Sequence, residues 1–216
     1  MSVAIDDSVT VWSAAPSDRA GADLLVLLHG YGSNEGDLIG LAPSLPAGLV
    51  LASLRAPVTA QWPVDGHAWF PLDDPGSPRA DAVDDAARAV LAWLDAVEAE
   101  GRFRSVGLLG FSQGGATALQ LLRHAPSRFR YAVNLAGFVA QGAHDGDDEL
   151  AELRPAVFWG RGSADEVISP AAILRTTDWL PGHSTLSGRI YEGLAHAVSA
   201  QELADVSAFV DKQLGA

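Results

Sequence analysis

Cysteine is absent from all 216 residues, which removes disulfides, thiolate metal sites and a cysteine nucleophile in one step. Lysine is almost as scarce, with Lys212 the single lysine among 14 basic residues. We read that bias, together with the high Ala and Gly content, as genomic composition without mechanistic content. Positive charge as a whole is in deficit: the net charge is -13. Such a surface repels phosphate backbones and anionic lipid headgroups, so no nucleic-acid partner is expected. Long apolar runs are missing too, and none approaches the ~20 residues that cross a bilayer. Asp6 and Asp7 stand where a signal peptide needs a basic start and an apolar run. A cytoplasmic protein without stable membrane insertion is the expectation. What is present is enough apolar material, 48% of residues, to fill one substantial core, and a single domain over 1–216 is expected.

Short apolar runs alternate with longer helical patterns, which predicts an α/β fold with a mostly parallel central sheet and helices on both faces. Strands are expected at 24–29, 50–54, 106–110, 131–135, 156–160 and 188–191, with 9–12 as an added edge. Helices are expected at 80–100, 114–124, 170–180 and 200–214. In the first of these Val83, Ala87, Val90, Leu94 and Val97 recur at helical spacing. Ser169 and Pro170 mark one N-terminus, and Ser199 with Glu202 three residues later marks another as a capping box. Residues 55–78 and 141–149 read as loops. The first is long and carries Trp62, Trp69 and Phe70, which points to a role beyond connection.

Gly110-Phe111-Ser112-Gln113-Gly114 fits G-x-S-x-G at the junction of a strand and a helix, the setting of a nucleophile elbow. A serine hydroxyl needs a base, and the base needs an acid to fix its tautomer. In this fold class the chain order is Ser, acid, His. His196 follows the final strand and so lies at the strand carboxyl ends, unlike His183 in a helix-to-strand loop or His144 in the acidic loop. Asp165, in the loop after residues 156–160, is the expected acid. Glu166 is its nearest rival, with Asp145, Asp147 and Asp148 further alternatives. The backbone N–H of Gln113 supplies one oxyanion donor. The loop His29-Gly30-Tyr31-Gly32 supplies the other through Tyr31, with His29 bracing that loop.

The His29–Gly32 loop, the motif around Ser112, the stretch from Gly160 through Asp165 to Val167, and the segment from Tyr191 to His196 together resemble the phospholipase/carboxylesterase family, small esterases related to acyl-protein thioesterases. The resemblance runs from about Leu24 to the C-terminus. It implies an α/β-hydrolase fold, a triad of Ser112, Asp165 and His196, an oxyanion hole at Tyr31 and Gln113, and ester hydrolysis with no metal or organic cofactor. It also implies an acyl site bordered by Trp69 and Phe70, and we expect Trp62 to join them. Family members acting on lipidated proteins have an apolar loop over the acyl chain, whereas residues 55–78 carry proline and acid here.

Only about twenty residues separate the strand at 131–135 from that at 156, so no cap domain is expected and the site should be open. A carboxylesterase for soluble short- to medium-chain esters, without interfacial activation, is the expected activity. An acyl thioesterase, lysophospholipase, peptidase or perhydrolase would use the same triad, and a non-catalytic binding protein on the same fold is the remaining rival. A small-molecule ester is the expected partner, and a homodimer is allowed.

Overall fold

The structure, a computed structural model, describes residues 3–72 and 78–215; residues 73–77 of the expected 55–78 loop lie outside it. Seven strands form the main sheet: β1 (Val11–Trp12), β2 (Asp23–Leu28), β3 (Leu49–Leu54), β6 (Ser105–Phe111), β7 (Tyr131–Leu135), β8 (Ala156–Gly162) and β9 (Thr185–Tyr191). Their order is β1-β3-β2-β6-β7-β8-β9. β1 pairs antiparallel with β3, and every other pair in this sheet is parallel. A separate hairpin of β4 (Val58–Thr59) and β5 (His67–Ala68) stands within the expected loop.

Strand β2 shows why the sheet is a two-sided core. Its six residues are all buried, and successive side chains point to opposite faces. Leu24, Val26 and Leu28 pack with α2 (Ala80–Glu100), α3 (Gln113–His124), α4 (Asp147–Leu153) and α5 (Pro170–His183). Leu25 and Leu27 pack on the other side with α1 (Glu35–Leu38), the 3-10 turn Ile39–Ser44 and α6 (Ala200–Gly215). This is the α/β-hydrolase fold. No cap domain is present among the described residues: β7 and β8 are joined by α4, a helix of 7 residues.

Helix α4 corrects the expected loop over 141–149. Asp147, Asp148 and Glu149 occupy its first turn, where carboxylates complement the helix dipole, and Leu150 is buried beneath them. Asp147 also pairs with the buried guanidinium of Arg123 on α3, at 2.7 Å.

Nearby, Asp84, His124 and His144 converge from α2, α3 and the chain before α4. The amide of Gly146 donates to His144 Nδ1 at 3.1 Å, which leaves the proton of a neutral ring on Nε2, facing Asp84. His124 Nε2 meets the same carboxylate oxygen at 3.0 Å. The hydrogen-bonded tie between elements is thus the one from His124 to Asp84, while His144 Nε2 lies 4.0 Å from that carboxylate and, with its proton on Nε2, turns no free lone pair toward it.

Candidate active site

The site lies at the carboxyl ends of the parallel strands, where four loops meet. Ser112 follows β6 with φ of 55° and ψ of -116°, a conformation that costs a non-glycine residue on the order of 1–3 kcal/mol. The flanking sequence permits it. A Cβ on Gly110 would fall 2.1 Å from the Gly114 carbonyl oxygen, and one on Gly114 only 1.8 Å from that of Leu28. The strand-to-helix turn is therefore packed so tightly that only glycine fits at either position. Ser112 N–H is held by the Leu135 carbonyl at 2.8 Å, which anchors the turn to β7.

His196 sits in the loop between β9 and α6, its Nε2 2.9 Å from Ser112 Oγ and its Nδ1 2.8 Å from Asp165 Oδ2. With the Nδ1 proton directed at Asp165, the Nε2 lone pair faces the serine hydroxyl. Asp165 Oδ1 accepts from the amides of Val167 at 2.9 Å and Ile168 at 3.2 Å, so the carboxylate is fixed from both ends. Glu166 and Asp148 are exposed, and Asp147 is engaged with Arg123, which leaves Asp165 the carboxylate in contact with His196. The ring of Phe111 packs against His196 with centroids 4.9 Å apart.

Two backbone loops complete the cluster. Gln113 opens α3, and the first N–H groups of a helix have no intrahelical acceptor. Tyr31 lines the same cavity as Ser112 and Gln113. Its loop is braced by His29, fully buried, which donates from Nδ1 to the Gly30 carbonyl at 2.7 Å and accepts at Nε2 from the Ala56 amide at 3.1 Å. Both ring nitrogens are thereby used by backbone, and burial lowers the imidazole's proton affinity. The β4–β5 hairpin is fastened to this loop in turn: Gln61 N–H donates to the Tyr31 hydroxyl at 2.8 Å, and Gly32 N–H to the His67 carbonyl at 2.8 Å.

The cavity over Ser112 has a volume of about 200 Å³ and is walled mainly by Phe70, Leu72, Phe111, Phe138, Val167 and Ile168. Phe70, expected to border an acyl site, lines this cavity; Trp69 and Trp62, expected with it, do not. Residues 69 and 70 lie in a bend after β5: Phe70 and Leu72 line the cavity, while Trp69 does not, its indole N–H donating to the His29 carbonyl at 2.7 Å. Trp62 projects from the hairpin tip and is 93% exposed. Phe138, Val167 and Ile168 are not among the substrate-site residues expected from the sequence, although each follows a parallel strand at its carboxyl end, the position that flags them.

A serine hydroxyl, an imidazole and a carboxylate in series can move a proton off the hydroxyl as it attacks a carbonyl. No helix among the described residues is long and apolar enough to cross a membrane. Acyl-protein thioesterase 1 of Candida albicans is 27% identical, over 90% of this chain and 94% of its own. Esterase PE8 superposes with a TM-score of 0.80 at 25% identity, over 97% of this chain and 99% of that one. A carboxylesterase from Mesorhizobium loti, at 20% identity, shares the fold with a TM-score of 0.79 and covers 97% and 99%. A sequence profile of the phospholipase/carboxylesterase family matches residues 12–214, so the chain belongs to that family and is a hydrolase of the carboxylesterase and acyl-protein thioesterase type.

Proposed function

We propose that the protein is a serine carboxylesterase acting on soluble short- to medium-chain carboxylic esters. The observation that carries this is the hydrogen-bonded series Ser112, His196, Asp165 beneath an apolar cavity. Ser112 Oγ attacks the ester carbonyl while His196 Nε2 takes its proton, and Asp165 stabilises the resulting imidazolium. The amides of Tyr31 and Gln113 receive the oxyanion, where one donor is typically worth about 10²–10³ in rate. The imidazolium then protonates the leaving alkoxide, which departs as an alcohol and leaves an acyl-serine. Water, deprotonated by the same imidazole, attacks that ester; the acid is released and the Ser112 hydroxyl is restored. The chain's own residues supply every proton transfer.

Cavity size favours modest acyl chains. At about 200 Å³ the cavity lies below the roughly 300–1,000 Å³ of sites for drug-sized ligands. A thioester substrate fits the same steps, and the similarity to an acyl-protein thioesterase over nearly the whole chain favours it as the second reading.

A p-nitrophenyl ester series from acetate to palmitate, run beside an acyl thioester and a peptide, tests the proposal. Highest kcat/KM at butyrate to octanoate with Ser112-dependent turnover supports it. A maximum at palmitate, or a thioester preferred over the matched oxygen ester by more than about tenfold, overturns it.

A further inference from the structure

Glu202 is one of the most deeply buried ionisable groups in the chain, 1% exposed, and neither carboxyl oxygen has a hydrogen-bond partner among the described residues. It stands in the first turn of α6, six residues after His196. As the third helical residue after Ser199 it should, in a capping box, reach back to the Ser199 amide. Half of that box forms: the Glu202 amide donates to Ser199 Oγ at 3.1 Å. The carboxyl group instead turns inward onto β8. A Cβ on Gly160 would lie 2.1 Å from Glu202 Oε1, so the side chain rests directly on the glycine backbone, beside Phe158.

That contact joins the two segments that carry the catalytic pair. Downstream of Gly160, β8 leads to Asp165, and its end is stitched to the loop bearing His196. Ser163 N–H donates to the Tyr191 carbonyl at 2.9 Å, Ala164 N–H to that of Leu194 at 3.0 Å, and Gly193 N–H to Ser163 Oγ at 2.8 Å. Glu202 sits beneath this seam. On its own helix it faces Asp205, which is held by the Tyr191 hydroxyl of β9 at 2.8 Å, with Arg189 further along that strand. On β8, Arg161 turns to the opposite face and lies over Trp159.

Resting on the triad reading above, we propose that Glu202 is a positioning residue: as a neutral carboxylic acid packed on Gly160, it seats the start of α6, and so the His196 loop, against the strand leading to Asp165. Burial, with Asp205 adding repulsion, pushes the carboxyl up to about 7. Ionisation places a negative charge without a partner in the helix–sheet seam and loosens it.

The test is the pH dependence of p-nitrophenyl butyrate hydrolysis, alongside the rate of Ser112 labelling by a fluorophosphonate, in the wild type, Glu202→Gln and Glu202→Met. The wild type should show an alkaline limb with a midpoint near 7, with both rates falling about tenfold or more. Both variants, which cannot ionise there, should keep their rates to higher pH. Circular-dichroism melts at each pH show that the variants are folded. If they shift in Tm yet retain the wild-type limb, Glu202 is structural only and the inference fails. A wild type with no alkaline limb also overturns it. If Ser112 is not labelled at any pH, the triad reading itself fails and this inference goes with it.

Discussion

Gln113 grips the chain at Trp69: its side-chain carbonyl accepts the Trp69 amide at 3.0 Å, and its side-chain amide donates to the Phe70 carbonyl at 2.9 Å. The residue proposed to offer its backbone N–H to the oxyanion thus fixes, through its side chain, Phe70 in the wall of the cavity over Ser112. Gln113→Ala leaves the backbone donor in place and strands two buried backbone groups, each costing about 1–3 kcal/mol. We expect a lower Tm and a KM for p-nitrophenyl butyrate raised about tenfold, with a smaller change in kcat. Steady-state kinetics that show kcat falling while KM stays constant would place the effect on the oxyanion instead.

Asp165 and Glu166 are adjacent in sequence and unlike in surroundings. Asp165→Asn should lower kcat by several orders of magnitude, because an amide opposite Nδ1 stabilises the wrong imidazole tautomer. Glu166→Gln should leave kcat within about twofold, the ordinary range for an exposed side chain away from the reacting atoms. Reversal of those two results in parallel assays would assign the acid to Glu166.

Glycine at 114 is a requirement of packing, and glycine at 182 is not. Gly114→Ala drives a methyl into the Leu28 carbonyl at 1.8 Å, so the variant should be insoluble or lose several kcal/mol. Gly182→Ala, in α5 with nothing within 4 Å of the added carbon, should raise stability by about 0.5–1 kcal/mol. Paired thermal melts decide both.

Stability should respond to pH through Glu202 in a set direction. Its carboxyl titrates near 7 when folded and near 4.5 in the unfolded chain, so between those values the folded state holds a proton that the unfolded state has released. Unfolding free energy therefore falls as pH rises through this window and levels off above it. Glu202→Gln removes the cost, and the variant should exceed the wild type by on the order of 3 kcal/mol above pH 7. Below about pH 4.5 that advantage should vanish. Urea titrations at pH 4 and 8 measure it; equal gains at both would show that the carboxyl does not titrate in this range.

Much of this architecture is written in the sequence. Helix α2 runs over Ala80–Glu100, as its periodicity predicts, because apolar residues at three- and four-residue steps suit no other element. Helix α4 is hidden since Asp147, Asp148 and Glu149 read equally as solvated loop; only the burial of Leu150 and the Arg123 pairing, both tertiary, make it a helix. The spacing that placed Ser112, Asp165 and His196 at strand ends is local. Which of Trp62, Trp69 and Phe70 faces the cavity is not, because it depends on the hydrogen bonds Gln113 and His29 make from elsewhere in the chain. Glu202 shows the same limit: its spacing from Ser199 promises a cap, and the proximity of Gly160 redirects it.

The hairpin tip has an optical consequence. Trp62 is the one fully solvated indole of six, while Trp69, Trp93 and Trp159 are buried and Trp12 and Trp179 partly so. Acrylamide therefore quenches chiefly Trp62 emission, the red-shifted part of the spectrum. Because Gln61, its neighbour, is bonded to the Tyr31 hydroxyl, that signal reports from within the protein on the loop proposed to meet the substrate carbonyl.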